Sequence, residues 1–276
     1  MIKKAGEGAD MAGINIDRTV KKHRISGMFF WSVMAFFYAP LIILIIYSFN
    51  EGKSMNFTGF SFKWYKVLFF NSARLWGSFY NTVLIALVSA LVSTVIGTLG
   101  AIGIYWYNFK MKRYLEVVSY LPIILPEIII GVSMLMFFAG LNIPLGLGTI
   151  IIAHITFNIP YVLLIVIARL SEFDYSIIEA AYDLGAREID TLLKVILPVC
   201  IPGILSGFLV AVTLSIDDFV ITFFVTGPGA STLPLHIYSM LRFGLSPTIN
   251  SLSVILIIGS LVLAFMSKRL FRYMFK

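Results

Sequence analysis

Six long apolar runs dominate this chain, at residues 28–48, 82–106, 115–139, 147–169, 200–226 and 249–267. Crossing the hydrocarbon core takes about 20 predominantly apolar residues in a helix, which satisfies its own backbone hydrogen bonds where no water can. The runs predict an all-α integral membrane protein with six transmembrane helices. With 59% hydrophobic and 13% charged residues in a chain of 276, nothing is left over for a large soluble domain. Residues 1–27 read as a flexible polar cytoplasmic tail, and 28–276 as the transmembrane domain. The first run is too long for a signal-peptide core and reads as a retained span. The single cysteine, Cys200, excludes an intrachain disulfide and a cysteine-rich metal site.

The basic residues orient the chain. With the N-terminus inside, the cytoplasmic side receives 16 of the 21 Lys and Arg residues, among them Lys21, Lys22, Arg24, Lys112, Arg113, Lys268 and Arg269. The outer side receives Lys53, Lys63, Lys66, Arg74 and Arg242. The positive-inside rule therefore predicts N-in, C-in topology. The net charge of +7 follows from this bias and does not point to nucleic acid. The outer connection 49–81 is rich in Phe, Tyr and Trp beside Lys63 and Lys66, which suits a helix lying in the headgroup region. In the second run, Ser89, Ser93, Gly97 and Ala101 recur every fourth residue. That spacing places small residues on one helix face and allows a neighbouring helix to approach closely.

No catalytic centre is legible. Gly52-Lys53-Ser54 resembles the end of a phosphate-binding loop, but Tyr47 stands where the motif needs glycine. The three histidines, His23, His154 and His236, are far apart, and no metal-ligand spacing or nucleophile–base pairing stands out. The chain is expected to bind no cofactor or metal of its own, so energy for any transport must come from a partner or an ion gradient.

Two groups of residues remain. Loop 170–199 is acidic although it lies on the cytoplasmic side. Ser176 with Glu179 suits a capping box, and Ala180, Ala181 and Leu184 form a small apolar face. Gly185 suits a sharp turn, and a second helix is expected from about Ala186 to Ile196, stopped by Pro198. Two short helices meeting at a glycine would make a compact knob. The second group is carboxylates inside apolar runs: Glu127 in the third, Asp217 and Asp218 in the fifth. Charges at that depth are costly and usually face protein or a watery path. At 1.5 Å per residue, Asp217 falls roughly 22 Å from Pro202 and Glu127 roughly 16 Å from Glu116. Neighbours on a helix point about 100° apart, so Asp217 and Asp218 cannot both face one pore. They either line a path for a cation or make interhelical bonds, and one of them is free to cap a neighbouring helix or to meet a partner subunit. His154 reads as structural. Pro122, Pro126, Pro160 and Pro202 mark kinks or breaks.

Residues 179–198, EAAYDLGAREIDTLLKVILP, resemble the signature loop of permease subunits of ATP-driven bacterial importers. Glu179, Ala180, Ala181, Gly185, Leu197 and Pro198 carry the match, and Val195 replaces the usual Ile. The segments at 40–50, 153–162 and 214–250 resemble the spermidine/putrescine importers, most closely the second of that system's two permeases. The resemblance implies a type I ABC importer permease fold in the bacterial inner membrane. It implies a homologous permease, two copies of an ATPase that holds ATP and Mg, and an external polyamine-binding protein as partners. It also implies that Glu179 pairs with a basic residue of the ATPase and that Gly185 makes the turn. A permease for another small solute, or a gradient-driven secondary transporter using Glu127, Asp217 and Asp218 as a proton relay, are the alternatives. No internal repeat supports the latter.

Overall fold

A computed structural model describes residues 16–53, 56–172, 174, 176–242 and 247–274, with the side chains of 16–26, 263–264 and 266–274 left aside. Among these residues the regular structure is helical, apart from one isolated antiparallel bridge between Asn50 and Phe60. Residues 1–15 of the expected tail lie outside the described residues. The first helix begins at Ile16, ahead of the apolar run.

The helices group into two compact units. In the first, α1 (Ile16–Ser48) packs against α12 (Thr248–Met274), which also touches α2 (Lys63–Phe70). The Tyr65 hydroxyl lies 2.8 Å from the Ser48 hydroxyl, and Trp64 Nε1 donates to the Asn50 carbonyl at 2.8 Å. Phe49 stacks on Phe60 at 5.0 Å. These contacts hold the aromatic segment after α1 against the end of that helix.

The second unit holds α3 (Ala73–Trp106), α4 (Lys112–Ile124), α5 (Glu127–Gly140), α6 (Leu147–Ser171), α7 (Ser176–Asp183), α8 (Glu188–Thr191), α9 (Leu197–Asp217), α10 (Val220–Val225) and α11 (Leu233–Arg242). Helices α3, α6 and α9 form its centre. The small-residue stripe of α3 is buried there, and the reason is steric. A Cβ on Gly97 would lie 2.8 Å from the Val162 side chain, and one on Gly207 would lie 3.2 Å from it. Val162 thus fills the space that two glycines leave open. Ala90, Ala101, Val166, Leu170, Cys200 and Ala211 extend this core. A second cluster, including Phe138, Ile150, Ile221 and Val225, joins α5, α6 and α10.

Two of the expected spans are interrupted. The third run bends by 108° between α4 and α5. Pro126 has no N–H to continue the ladder, and it forces Leu125 into extended backbone at φ −73°, ψ 139°. The fifth run stops at Asp217, turns through Asp218 at φ −61°, ψ 124°, and resumes as α10. Among the described residues, 4 helices are long and apolar enough to cross a membrane, or 5 if the α4–α5 pair counts as one span.

Candidate functional site

The knob expected in loop 170–199 is built as the loop chemistry requires, with two corrections. Ser176 is the first residue of α7 rather than its cap. Asp174 provides the entry, its carboxylate accepting the Ser176 N–H at 2.9 Å and its carbonyl the Ile177 N–H at 3.3 Å. The hydrogen bonds from the Ser176 backbone and side chain hold the Asp174 carboxyl below its usual pKa. Ile178 is fully buried in the cluster with Leu170, Ile196 and Cys200, so α7 is anchored by one side chain. Glu179 and Ala180 are exposed, Ala181 is half-buried, and Leu184 is 89% exposed. The end of α7 is a Schellman turn: Ala186 N–H donates to the Ala181 carbonyl at 3.0 Å and Gly185 N–H to the Tyr182 carbonyl at 2.8 Å. Gly185 has φ +79°, a conformation that costs a Cβ-bearing residue about 1 kcal/mol or more.

The second correction concerns Pro198. It does not stop a helix. After α8 the backbone passes through a π turn at Leu192–Ile196 and runs directly into α9. The Leu197 N–H reaches back to the Leu192 carbonyl. Pro198 is the second residue of α9, directly after the π turn. The knob is therefore covalently continuous with the fifth apolar run, and Glu188–Asp217 forms one stretch of 30 residues. Tyr107, just past α3, donates its hydroxyl to Glu188 Oε1 at 2.6 Å. That carboxylate holds the phenol above its usual pKa. Arg169 lays its stem against Gly203 and reaches the Val199 carbonyl at 3.4 Å.

Glu127, Asp217 and Asp218 all sit at the two helix breaks. Glu127 is the first residue of α5 and is exposed. Asp217 is the last residue of α9 and is exposed. Asp218 is buried. Its carboxylate accepts the Thr222 N–H at 2.8 Å, the Thr222 hydroxyl at 2.7 Å and the Ile221 N–H at 3.3 Å. His154 Nε2 lies 3.2 Å away. Of the adjacent pair, Asp218 is the capping residue and Asp217 the one left open. The halves beyond the two breaks pack tightly: a Cβ on Gly131 of α5 would lie 2.7 Å from the Phe224 ring of α10. The expectation that His154 is structural agrees with its burial. The roles of Ser215 and Thr222 were invisible in sequence, because nothing local announces a break between them.

Residues 93–276 match the family of binding-protein-dependent transport system inner membrane components. The chain belongs to this family. It is 39% identical over 249 residues to the spermidine/putrescine transport system permease protein PotC of Escherichia coli K12, covering 90% of this chain and 94% of that one. It is 37% identical over 230 residues to the putrescine transport system permease protein PotI of the same organism, covering 80% and 82%. Among solved structures it resembles a bacterial ABC transporter that imports alginate (TM-score 0.68, 16% identity, 92% and 97% covered). It also resembles the inward-facing MetNI methionine ABC transporter (TM-score 0.63, 23% identity, 72% and 94% covered). The chain is thus a non-catalytic membrane permease subunit of an ATP-driven importer of the inner membrane, with the permease fold of that class. An ATPase and a substrate-binding protein are its partners by family.

Proposed function

We propose that this permease imports polyamines of the spermidine/putrescine type by alternating access, and that Asp217 is its principal cation contact. The observation that carries this reading is the position of Asp217. A helix C-terminus bears about half a negative charge, and an exposed carboxylate on the last residue of α9 adds to it. That combination favours an ammonium group. Glu127 stands at the opposite pole, the N-terminus of α5, where the helix dipole already compensates its charge. It contributes less. Broken helices whose ends face a path are a recurring way to bind ions inside membranes. The likeness to PotC and PotI supports the choice of a polycation over another solute.

In the proposed topology six spans cross the membrane with both termini inside, the α4–α5 and α9–α10 pairs counting as one span each and α12 as the last. Residues 28–276 form the transmembrane domain. Glu179, Ala180, Ala181 and Gly185 form the docking knob, with Glu179 pairing with a basic residue of the ATPase. Leu197 and Pro198 join the knob to α9. The continuous helix from α8 to α9 carries ATPase motion towards Asp217. The full assembly has a homologous permease, two ATPase copies that hold ATP and Mg, and an external polyamine-binding protein. No cofactor resides on this chain.

The test is gentle affinity purification from native membrane, followed by labelled spermidine and putrescine uptake by the recovered complex. Recovery of an ATPase with a second permease, and ATP-dependent uptake, is the expected result. A chain recovered alone, with uptake that collapses with the proton gradient, would overturn the proposal.

A further inference from the structure

Nothing in the covalent sequence around Asp218 forces a break. Residues 214–226 contain neither proline nor glycine, and a continuous helix would be available to them. The break is held instead by a side chain from another helix. His154 of α6 is almost fully buried. Its Nδ1 lies 2.6 Å from the Ser215 hydroxyl, on α9 just before the break. Its Nε2 lies 3.0 Å from the Thr222 hydroxyl, on α10 just after it, and 3.2 Å from Asp218 Oδ2. One imidazole thus grips both flanks of the interruption.

The donor inventory fixes the direction at Thr222. Thr222 gives its hydroxyl proton to Asp218, so Nε2 must donate to Thr222. Nδ1 meets the Ser215 hydroxyl, and that hydroxyl in turn lies 3.2 Å from the Ser89 hydroxyl of α3. At the far end of α10, Thr149 of α6 donates its hydroxyl to the Val225 carbonyl at 2.8 Å. Helix α10 is therefore tied to α6 at both ends, and Asp217 is the one carboxylate at this break left outside the ties.

We propose that His154 is a positioning residue for cation passage: by holding Ser215, Thr222 and Asp218 together it fixes the α9–α10 break and so the direction of the Asp217 carboxylate. This rests on the reading of Asp217 as the cation contact. His154 touches no substrate. A histidine that merely filled space would influence the amount of folded protein but not the reach of Asp217.

The experiment uses the assembled importer in membrane vesicles, with Cys200→Ala and Asp217→Cys in this chain. The rate at which a cationic methanethiosulfonate labels the new thiol is compared for native His154, His154→Leu and His154→Gln. Leu removes both nitrogens, whereas Gln keeps a donor for Thr222 and Asp218. The expected result is a change of about tenfold in labelling rate for Leu, the scale of losing a buried hydrogen bond, with Gln close to the parent. In the Asp217 background, His154→Leu should raise the spermidine KM, and adding it to Asp217→Asn should raise KM no further. Equal labelling rates in all three proteins would overturn the staple, even where Asp217→Asn alone raises KM. An Asp217→Asn protein with unchanged KM would instead overturn the cation-contact reading, and the functional half of this proposal with it.

Discussion

The third and fifth apolar runs are both broken helices, and the causes of the two breaks differ. The α4–α5 break is written into the backbone. Pro126 removes a donor and drives Leu125 extended, so two neighbouring residues suffice. The α9–α10 break is written into side chains that are distant in sequence. Asp218 caps α10, and His154, 64 residues earlier in the chain by its number, holds both flanks. Charge differs as well. The first break puts Glu127 at the positive end of a helix, and the second puts Asp217 at a negative end. A break fixed by proline persists whatever surrounds it. A break fixed by a buried network persists only while the network is complete, which suits a part that must keep its shape in one state and yield in another.

Removing the side-chain cause should do the most damage. Asp218→Ala strips the cap from α10 and leaves a buried imidazole without its carboxylate, at a cost of about 2–4 kcal/mol. A fall of several degrees in the melting temperature of the detergent-solubilised complex would show it. A melting temperature equal to the parent's would mean that the second break is as locally determined as the first. Gly185→Ala probes a third interruption, also written locally. The φ of +79° should cost roughly 1 kcal/mol, and substrate-stimulated ATP hydrolysis by the complex should fall several-fold while membrane insertion is unchanged. Pro126→Ala should alter stability by less than about 1 kcal/mol, since its missing N–H and its ring are the whole of its effect. Amide exchange near residues 124–128 should slow as the α4–α5 helix gains continuity, and unchanged exchange would show that tertiary packing, not proline, holds that bend.

The smallest effect concerns Asp174. Its folded pKa lies below the usual carboxylate value, so its support for α7 is present at neutral pH. That support fades as the pH falls from the usual carboxylate range through the depressed value. Amide exchange at Ser176 and Ile177 should quicken over that acid range in the parent. In Asp174→Asn it should be insensitive to the same change.

The sequence made the locally written features readable and hid the others. Helix content, the small-residue face of α3 and the turn at Gly185 follow from composition, spacing and one glycine. The run of Asp217 and Asp218 was visible as a costly pair, and the 100° argument already required them to part. Which residue capped and which stayed open depended on His154, Ser215 and Thr222 meeting across three helices, and no spacing in the chain encodes that. Pro198 misled because a proline reads as a stop, while the π turn before it reset the register and let the helix continue. Asp174 displaced Ser176 as the entry to α7, since a carboxylate two residues earlier accepts the Ser176 N–H.

The most direct test is labelled-spermidine uptake kinetics in vesicles carrying the complete importer, with Asp217→Asn set beside Glu127→Gln. Both substitutions remove one negative charge from a helix break with little change of shape. An opposite charge held directly by a charge-assisted hydrogen bond is worth enough that its loss should raise KM by about tenfold or more at Asp217. The dipole-compensated Glu127 should shift KM by less than about threefold. A larger effect at Glu127, or an unchanged KM in Asp217→Asn, would contradict the assignment of the cation contact to the end of α9.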